Sequence, residues 1–279
     1  MKAFISADME GLPFTVSNEH MFPGQKLYDE TRTIMTECVL AVVDELRAAG
    51  VERSVVADSH GPMVNILPGR MPDGVELLRG TPRSHSMVAG SKGCDFAIFV
   101  GYHAKPNTAM ATFDHTIHSG VIRRLAIDGM EMSEFLLNSA YLGEIGVPVA
   151  MVAGDRALLE GDVSANAPWA VRVQLKESLG RHSAISPSMP EVAARLRAGT
   201  RDAVAGFGKG EMSPFKLRTP AEVALDFQSS AYADVAADLP GAKRVGGTEV
   251  RFGIRSMDEG LNVIKLLVFA ASGVKAATE

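Results

Sequence analysis

Cysteine is scarce in this sequence, with 2 among 279 residues. Cys38 lies in a helical pattern and Cys94 lies just before a predicted strand, so the sequence does not contain the paired cysteines of a disulfide framework. We therefore expect the protein to reside in the reducing cytoplasm. The first strand pattern begins at Lys2, and the absence of a signal-peptide pattern before it favours the same location.

Runs of basic residues and long apolar runs are also missing. The formal net charge is −5, and no run of Lys or Arg exceeds two residues, so we do not expect a nucleic-acid partner. The longest apolar run, near residues 266–271, is far shorter than the ~20 residues that span a bilayer, so we do not expect a membrane partner either.

Several motifs with well-defined chemistry are absent from the sequence. It contains no Walker A loop, no G-x-S-x-G elbow and no C-x-x-C pair. Residues Gly206–Gly210 are rich in glycine, but they lack the strand–turn–helix context of a phosphate-binding loop. We interpret this segment as a flexible linker.

Apolar segments that end in Asp, Glu or His are the most informative feature present. Such segments precede Asp8 and Glu10, Asp58 and His60, His103, and Asp155. Continuous short apolar runs are typical of buried parallel strands, and ligands of open α/β sheets lie beyond the carboxyl ends of those strands. We therefore expect these polar side chains to meet at one edge of a sheet.

The pattern of elements predicts an α/β fold. A helix over residues 34–46, stopped by Gly50, links two of the apolar strands into a right-handed βαβ unit. Period-two alternation at 171–175, 223–227 and 250–254 indicates half-exposed strands, which we expect to be antiparallel. The last helix opens with a predicted capping box, Ser256-x-x-Glu259.

These elements predict a three-layer sandwich with a largely parallel N-terminal sheet and a mixed or antiparallel C-terminal part. We expect residues 1–160 to form a metal-binding catalytic half. We expect residues 161–279 to form a mixed half that shapes the pocket or an oligomer interface.

Asp8, Glu10, His60 and His103 offer carboxylate oxygens and imidazole nitrogens, a set that Zn²⁺ accepts. A carboxylate that bridges two ions ~3.5–4 Å apart would create a hydrolytic site. Any one of these residues alone is more often a structural cap, but together they favour a metal. Asp58 is a weaker candidate, which could orient His60 without binding the metal itself.

Three further candidates lie away from the strand ends. Glu134 begins a predicted helix after the N-cap Ser133, where the helix dipole alone favours a carboxylate. Asn138 lies one turn later on the same face and is a candidate for a supporting contact. His115 lies in the loop over 104–120, where it could transfer protons beside a metal or simply be solvated.

The ordered motifs Ser6–Gly11, Asp58-Ser59-His60, Gly101-Tyr102-His103-Ala104, His115 and Glu134-x-x-x-Asn138 resemble the zinc-dependent D-aminopeptidase family of the DppA type. The resemblance extends through 147–155 and is looser beyond. The loop around His115 differs from the family member compared at Asp114 and His118, which bears on substrate preference.

The resemblance implies that Asp8, Glu10, His60, His103 and Glu134 bind two Zn²⁺ ions, with Asp8 bridging them, and that His115 is the nucleophile or base. The family forms ten-subunit rings that enclose the active sites, so the resemblance also implies a homo-oligomer.

We therefore expect an aminopeptidase that releases an N-terminal amino acid, expected to be D-configured, from short peptides or amides. One alternative is a dinuclear hydrolase of another small amide or ester. The other is a metal-free α/β protein that binds a small ligand at the same sheet edge.

Overall fold

The computed structural model describes residues 1–278, which form strands β1–β12 and helices α1–α7. The strands are β1 (Lys2–Ala7), β2 (Arg53–Asp58), β3 (Val75–Leu78), β4 (Phe96–Tyr102), β5 (Ile122–Ile127), β6 (Met130–Glu131), β7 (Val149–Asp155), β8 (Val171–Gly180), β9 (Ser183–Ile185), β10 (Ala221–Phe227), β11 (Lys243–Arg244) and β12 (Glu249–Ile254). The helices are α1 (Tyr28–Ala48), α2 (Glu134–Glu144), α3 (Arg156–Leu158), α4 (Ser164–Asn166), α5 (Met189–Gly208), α6 (Ser230–Ala236) and α7 (Met257–Thr278). A π-helical turn, Leu159–Val163, joins α3 to α4, and single 3₁₀ turns form at Asn18–His20, Pro68–Arg70 and Ser86–Val88.

The strands form one 7-stranded and one 5-stranded sheet. The larger sheet has the order β3-β2-β1-β4-β7-β8-β9 and is parallel except at the β8–β9 pair. The smaller sheet has the order β11-β12-β10-β5-β6 and is antiparallel. The predicted α/β class with a largely parallel sheet is confirmed. Each sheet takes strands from both sides of residue 160, and the division into two halves stays a prediction.

The prediction that residues 171–175 form an antiparallel strand is wrong. These residues begin β8, which pairs in parallel with β7. Alternation reports one solvent-exposed face, and a strand next to the edge of a parallel sheet also has such a face. The alternating strands β10 and β12 are antiparallel, as predicted.

The larger sheet separates two apolar cores. Ala3, Ile5 and Ala7 of β1 pack in the core that contains the buried side chains of α1 and α5. Phe4 packs in the other core, which contains α2, the smaller sheet and α7. Because strand side chains alternate between faces, Ser6 lies on the same face as Phe4, toward α2.

Two predictions near helix ends need correction. Residues Gly206–Gly208 are not a linker, since α5 continues to Gly208. Gly206 is buried there, and a β-carbon at this position would lie 3.0 Å from the terminal methyl group of Met212. Only half of the predicted capping box forms: Ser256 Oγ accepts from the Glu259 amide at 3.1 Å, but the Glu259 carboxylate accepts from the Arg255 amide at 2.7 Å.

Helix α7 combines apolar composition with partial exposure. By length and composition alone it is the one helix within residues 1–278 that could cross a membrane, with a mean hydropathy of 1.4 in its most apolar window. Core helices of soluble proteins meet the same criterion, so this is weak evidence for a membrane span. The expected lack of a membrane partner stays a prediction.

Candidate metal centre

The order of the central strands brings the predicted ligands together. Strands β2, β1 and β4 are neighbours, and His60, Asp8 and His103 follow their carboxyl ends. Glu134 opens α2, whose first turn is capped by Ser133 Oγ accepting from the Leu136 amide at 3.2 Å. These side chains and that of Glu10 are all buried.

Asp8 lies between two histidines and directs one carboxylate oxygen toward each. Its Oδ1 lies 3.3 Å from His60 Nδ1, and its Oδ2 lies 3.7 Å from His103 Nε2. Glu10 Oε2 lies 2.9 Å from His60 Nδ1, and Glu134 Oε2 lies 3.6 Å from His103 Nε2. The cluster therefore divides into two groups that share Asp8.

Each group could hold a metal ion. The candidate ligand atoms of Asp8, Glu10 and His60 lie within 4.8 Å of one another, as do those of Asp8, His103 and Glu134. A third group with the same spread combines Glu10, His103 and His115. Carboxylates and imidazoles in groups of three are typical ligands of Zn²⁺.

A backbone carbonyl lies beside one ring nitrogen of each histidine. His60 Nε2 donates to Met21 O at 2.8 Å, and His103 Nδ1 donates to Ala104 O at 3.1 Å. When the rings are neutral, these hydrogen bonds leave the lone pairs of His60 Nδ1 and His103 Nε2, the atoms nearest the carboxylates, available to a metal ion. Such hydrogen bonds are a common way in which a protein fixes the tautomer and orientation of a metal-binding histidine.

Burial and neighbouring charges strongly shift the pKa values of the side chains in the cluster. Burial and the adjacent Glu10 raise the pKa of Asp8 well above its usual range. For His103, burial favours the neutral ring, but the attraction of Glu134, Glu10 and Asp8 prevails and raises its pKa to about 10.

Two buried atoms of this cluster show whether its residues fit a bound cation. Within residues 1–278, Asp8 Oδ2 and His103 Nε2 are buried and have no hydrogen-bond partner. Buried polar atoms normally have a hydrogen-bond partner. A carboxylate oxygen and an imidazole nitrogen can each instead donate an electron pair to a divalent metal ion. The residues therefore fit a metal centre.

His115 stands at the same cluster but belongs to the loop between β4 and β5. Its ring stacks on His103, with centroids 4.4 Å apart and planes at 15°. Its Nδ1 donates to Phe113 O at 2.7 Å, which leaves the Nε2 lone pair 3.7 Å from Glu134 Oε1 and 4.0 Å from Glu10 Oε1. Burial and the adjacent His103 lower the pKa of His115, which favours the neutral ring.

A cavity of about 390 Å³ opens onto this cluster. Asp8, Glu10, His60, His115 and Glu134 line one side of it. The lining also includes one face of α7, with Leu261, Lys265, Val268, Phe269 and Ser272. The lining therefore combines the titratable side chains of the cluster with apolar side chains of α7.

The loop that carries His115 is fixed by hydrogen bonds within it and by contacts to α2 and Arg181. The Ile117 amide donates to Glu134 Oε1 at 2.6 Å, and Asp114 accepts from the Asn107 amide at 2.7 Å. The guanidinium of Arg181 also binds the Asp114 carboxylate. His118 lines the cavity and accepts from the Gly120 amide at 3.1 Å.

The structure places the predicted supporting residues Asp58 and Asn138 behind the ligands. Asp58 accepts from the Asn65 and Ile66 amides at 2.5 and 2.7 Å, and Asn65 Nδ2 donates to His60 O at 2.8 Å. Asp58 thus organises the segment that follows His60 rather than bonding to its ring. Asn138 Nδ2 donates to the Tyr102 hydroxyl at 3.0 Å.

Sequence reasoning missed one buried cation and a buried group of hydroxyls. Lys176 Nζ donates to the carbonyls of Glu10 and Thr15, and burial lowers its pKa to about 7. A register shift between β7 and β8 pairs Lys176 with Asp155, and an alternation pattern does not reveal such a shift. The hydroxyls of Ser6 and Tyr102 lie 2.8 Å apart beneath the cluster, and the sequence indicated them only as members of the motifs that contain Asp8 and His103.

The comparisons with known proteins agree on one kind of relative. A sequence model of the peptidase M55 family, described as D-aminopeptidase, matches residues 1–266. A D-aminopeptidase of Bacillus subtilis (strain 168) is 30% identical over 262 residues, which cover 93% of each chain. A solved structure, the Zn-dependent D-aminopeptidase DppA from Bacillus subtilis, described as a self-compartmentalizing protease, matches with a TM-score of 0.92 and 26% identity over 98% of both chains.

Proposed function

Because this chain belongs to the peptidase M55 family of D-aminopeptidases, we propose that it releases an N-terminal D-amino acid from short peptides or amides at a centre of two zinc ions. The observation that carries the two-ion proposal is the position of Asp8, which directs one carboxylate oxygen to each ligand group. A single-ion site would not need a carboxylate shared in this way.

In this proposal each of the two ligand groups corresponds to one ion site. Asp8, Glu10 and His60 would hold one ion, and Asp8, His103 and Glu134 would hold the other. Bound there, the ions would supply a water nucleophile at neutral pH and the Lewis acidity that stabilises negative charge on the substrate carbonyl oxygen.

His115 provides the proton transfers in this proposal. Its Nδ1 is committed to Phe113 O, so Nε2 is the atom free to accept a proton from the attacking water. The same atom then returns the proton to the leaving amine. A neutral ring at the start of the reaction is what a general base requires, and burial of His115 favours that form.

The cavity supports a small substrate. A volume of about 390 Å³ is within the range of small-molecule sites, and its α7 side offers apolar contacts to a side chain. The family relationship also supports a closed homo-oligomer, expected to be a ten-subunit ring, and the small number of buried cysteines supports a cytoplasmic location.

One experiment tests the proposal: metal analysis of the purified protein together with kinetics on matched D- and L-aminoacyl amides and their N-acetylated forms. We expect close to two zinc equivalents per chain and turnover of the free D-aminoacyl amides. Equal turnover of N-acetylated and free substrates would indicate a general amidase. A metal-free protein that binds but does not turn over these compounds would indicate a binding protein.

A further inference from the structure

A chain of hydrogen bonds runs through the protein directly beneath the metal centre. Asn138 Nδ2 donates to the Tyr102 hydroxyl at 3.0 Å, and that hydroxyl lies 2.8 Å from Ser6 Oγ. Ser6 Oγ lies 2.9 Å from Ser59 Oγ, and both serine hydroxyls reach Met87 O, at 3.0 and 3.2 Å. All of these side chains are buried, and we call Ser6, Ser59, Tyr102 and Asn138 the hydroxyl–amide network.

The direction of the hydrogen bonds can be assigned from the chemistry of the groups. The Asn138 Nδ2 group can only donate, so the Tyr102 hydroxyl oxygen accepts this hydrogen bond. The Tyr102 hydroxyl proton is then free to be donated to Ser6 Oγ. Ser6 can then donate to Ser59 or to Met87 O, which can only accept. Every member can thus be satisfied at once, which is the condition for a buried polar network to rigidify its surroundings.

Each member of the network is a near neighbour in sequence of a predicted metal ligand. Ser6 is two residues before Asp8 on β1, Ser59 immediately precedes His60, and Tyr102 immediately precedes His103. Asn138 is one helical turn after Glu134 on α2. The network therefore joins the elements that carry the ligands of both ion sites.

We propose that the hydroxyl–amide network is a positioning device for the metal centre, which fixes the spacing of β1, β2, β4 and α2 so that both ion sites form together. The inference rests on the proposed two-ion function. The ligands come from separate elements, and sheet hydrogen bonds alone do not fix the distance from α2 to the strands. Asn138 and Tyr102 provide that link, since their hydrogen bond joins α2 to the end of β4.

The alternative role of the network is general stability, because buried polar groups must be paired in any fold. The two roles differ in their effect on metal binding. A stabilising network lowers the free energy of unfolding when it is broken, whereas a positioning network also weakens metal binding in protein that is still folded. Loss of contacts behind metal ligands typically costs ~10–100-fold in metal affinity.

Tyr102→Phe is the sharpest variant. The Tyr102 ring stacks on Phe99 with centroids 4.3 Å apart and planes at 4°, and phenylalanine keeps that contact. Only the hydroxyl is lost, which separates Asn138 from Ser6. Ser59→Ala is a second variant at the other end of the network, to be used if Tyr102→Phe does not fold.

Thr200→Val is the matched control. Thr200 is fully buried on α5, and its hydroxyl donates to Leu196 O at 2.8 Å and lies 4.0 Å from Met151 Sδ, on the opposite face of the larger sheet. The change removes one buried hydroxyl and its hydrogen bond far from the ligands. It therefore reproduces a general loss of stability without breaking the network.

The experiment measures zinc affinity by competition with a chromophoric chelator, and the absorption spectrum of the Co²⁺-substituted protein, alongside the melting temperature of each metal-free variant. We expect Tyr102→Phe to weaken zinc binding ~10–100-fold and to alter the Co²⁺ spectrum, with Thr200→Val matching wild type in both. If a folded Tyr102→Phe protein has the zinc affinity and Co²⁺ spectrum of wild type, this inference is overturned and the proposed function is not affected. If wild type binds fewer than two ions, the proposed function fails and this inference fails with it.

Discussion

Gly11 lies against the backbone carbonyl of Tyr102, so close that a side chain at position 11 would overlap it. The Gly11 amide donates to Gly101 O at 2.8 Å, which ties the segment after Glu10 to the end of β4. The glycine thus permits the close approach that places Glu10 beside His60 and near His115. Its role is steric, because this contact leaves no room for a β-carbon.

We expect Gly11→Ala to destabilise the protein by about 1–3 kcal/mol, as overpacking in a close-packed interior does, and to reduce zinc content. The added methyl group must push the chain away from Tyr102 and so displace Glu10. Thermal unfolding and metal analysis of the same sample measure both effects. Gly69→Ala is the control, because a β-carbon there meets no atom within 4 Å. Wild-type stability and metal content in Gly11→Ala would contradict the steric role.

Asp8→Ala is expected to lose both ions. Its Oδ1 faces His60 and its Oδ2 faces His103, so its removal takes one ligand from each proposed site at once. Metal analysis after gel filtration measures the loss. Asp44→Asn, a change at an exposed surface ion pair with Arg197, is the control. Retention of one full equivalent by Asp8→Ala would show that the carboxylate serves a single ion.

Part of this site could be predicted from the sequence because parallel strands end at a common edge. Asp8, His60 and His103 follow apolar strands, and the structure brings all three together. Glu134 and His115 come from a helix start and a loop, whose positions depend on tertiary packing. For these two, only the resemblance to a family singled out the residues.

The strands of the fold could also be predicted from the sequence, but the direction and register of some of them could not. Buried strands such as β1 and β4 are continuous apolar runs, whereas β8 alternates because it lies near the sheet edge, and alternation does not report strand direction. The inward position of Lys176 depends on a register shift between β7 and β8, and α5 continues through Gly206 and Gly208 although glycine disfavours a helix. Local sequence encodes neither.

Both cysteines are expected to be inert in the folded protein. Burial raises the pKa of Cys38 to about 12 and that of Cys94 to about 11. At pH 8 the thiolate fraction is then on the order of 10⁻⁴ and 10⁻³, and the thiolate is the reactive form. A colorimetric disulfide reagent should therefore report no fast thiol in native protein and two thiols after unfolding in guanidinium. A fast stoichiometric reaction at pH 8 would contradict the buried positions.

We expect a closed homo-oligomer in solution. Large apolar side chains are exposed on the isolated chain, among them Leu266 and Phe269 on α7 and Ile185 on β9, and an assembly would cover some of them. Light scattering coupled to gel filtration at micromolar protein measures the mass. A mass of 29.7 kDa, that of one chain, would overturn the expectation.

His115→Ala is expected to retain near-normal zinc and to lose turnover by at least a hundredfold, since general acid–base groups typically contribute ~10²–10⁴-fold. The proposed ion sites draw their ligands from Asp8, Glu10, His60, His103 and Glu134. His115 lies at their edge, with Nε2 directed at the carboxylates and Nδ1 held by the loop backbone. Its removal therefore takes away a proton carrier and leaves the ligands in place.

Metal analysis and kinetics on one His115→Ala sample separate the alternatives. Loss of an ion would make His115 a ligand, as its grouping with Glu10 and His103 also permits. Unchanged turnover would make it a loop residue without a chemical role. His85→Ala is the matched control, because His85 pairs with Asp258 at 2.7 Å and is not among the cavity-lining residues. Only full metal with a large loss of turnover, beside a normal His85→Ala, agrees with proton transfer by Nε2.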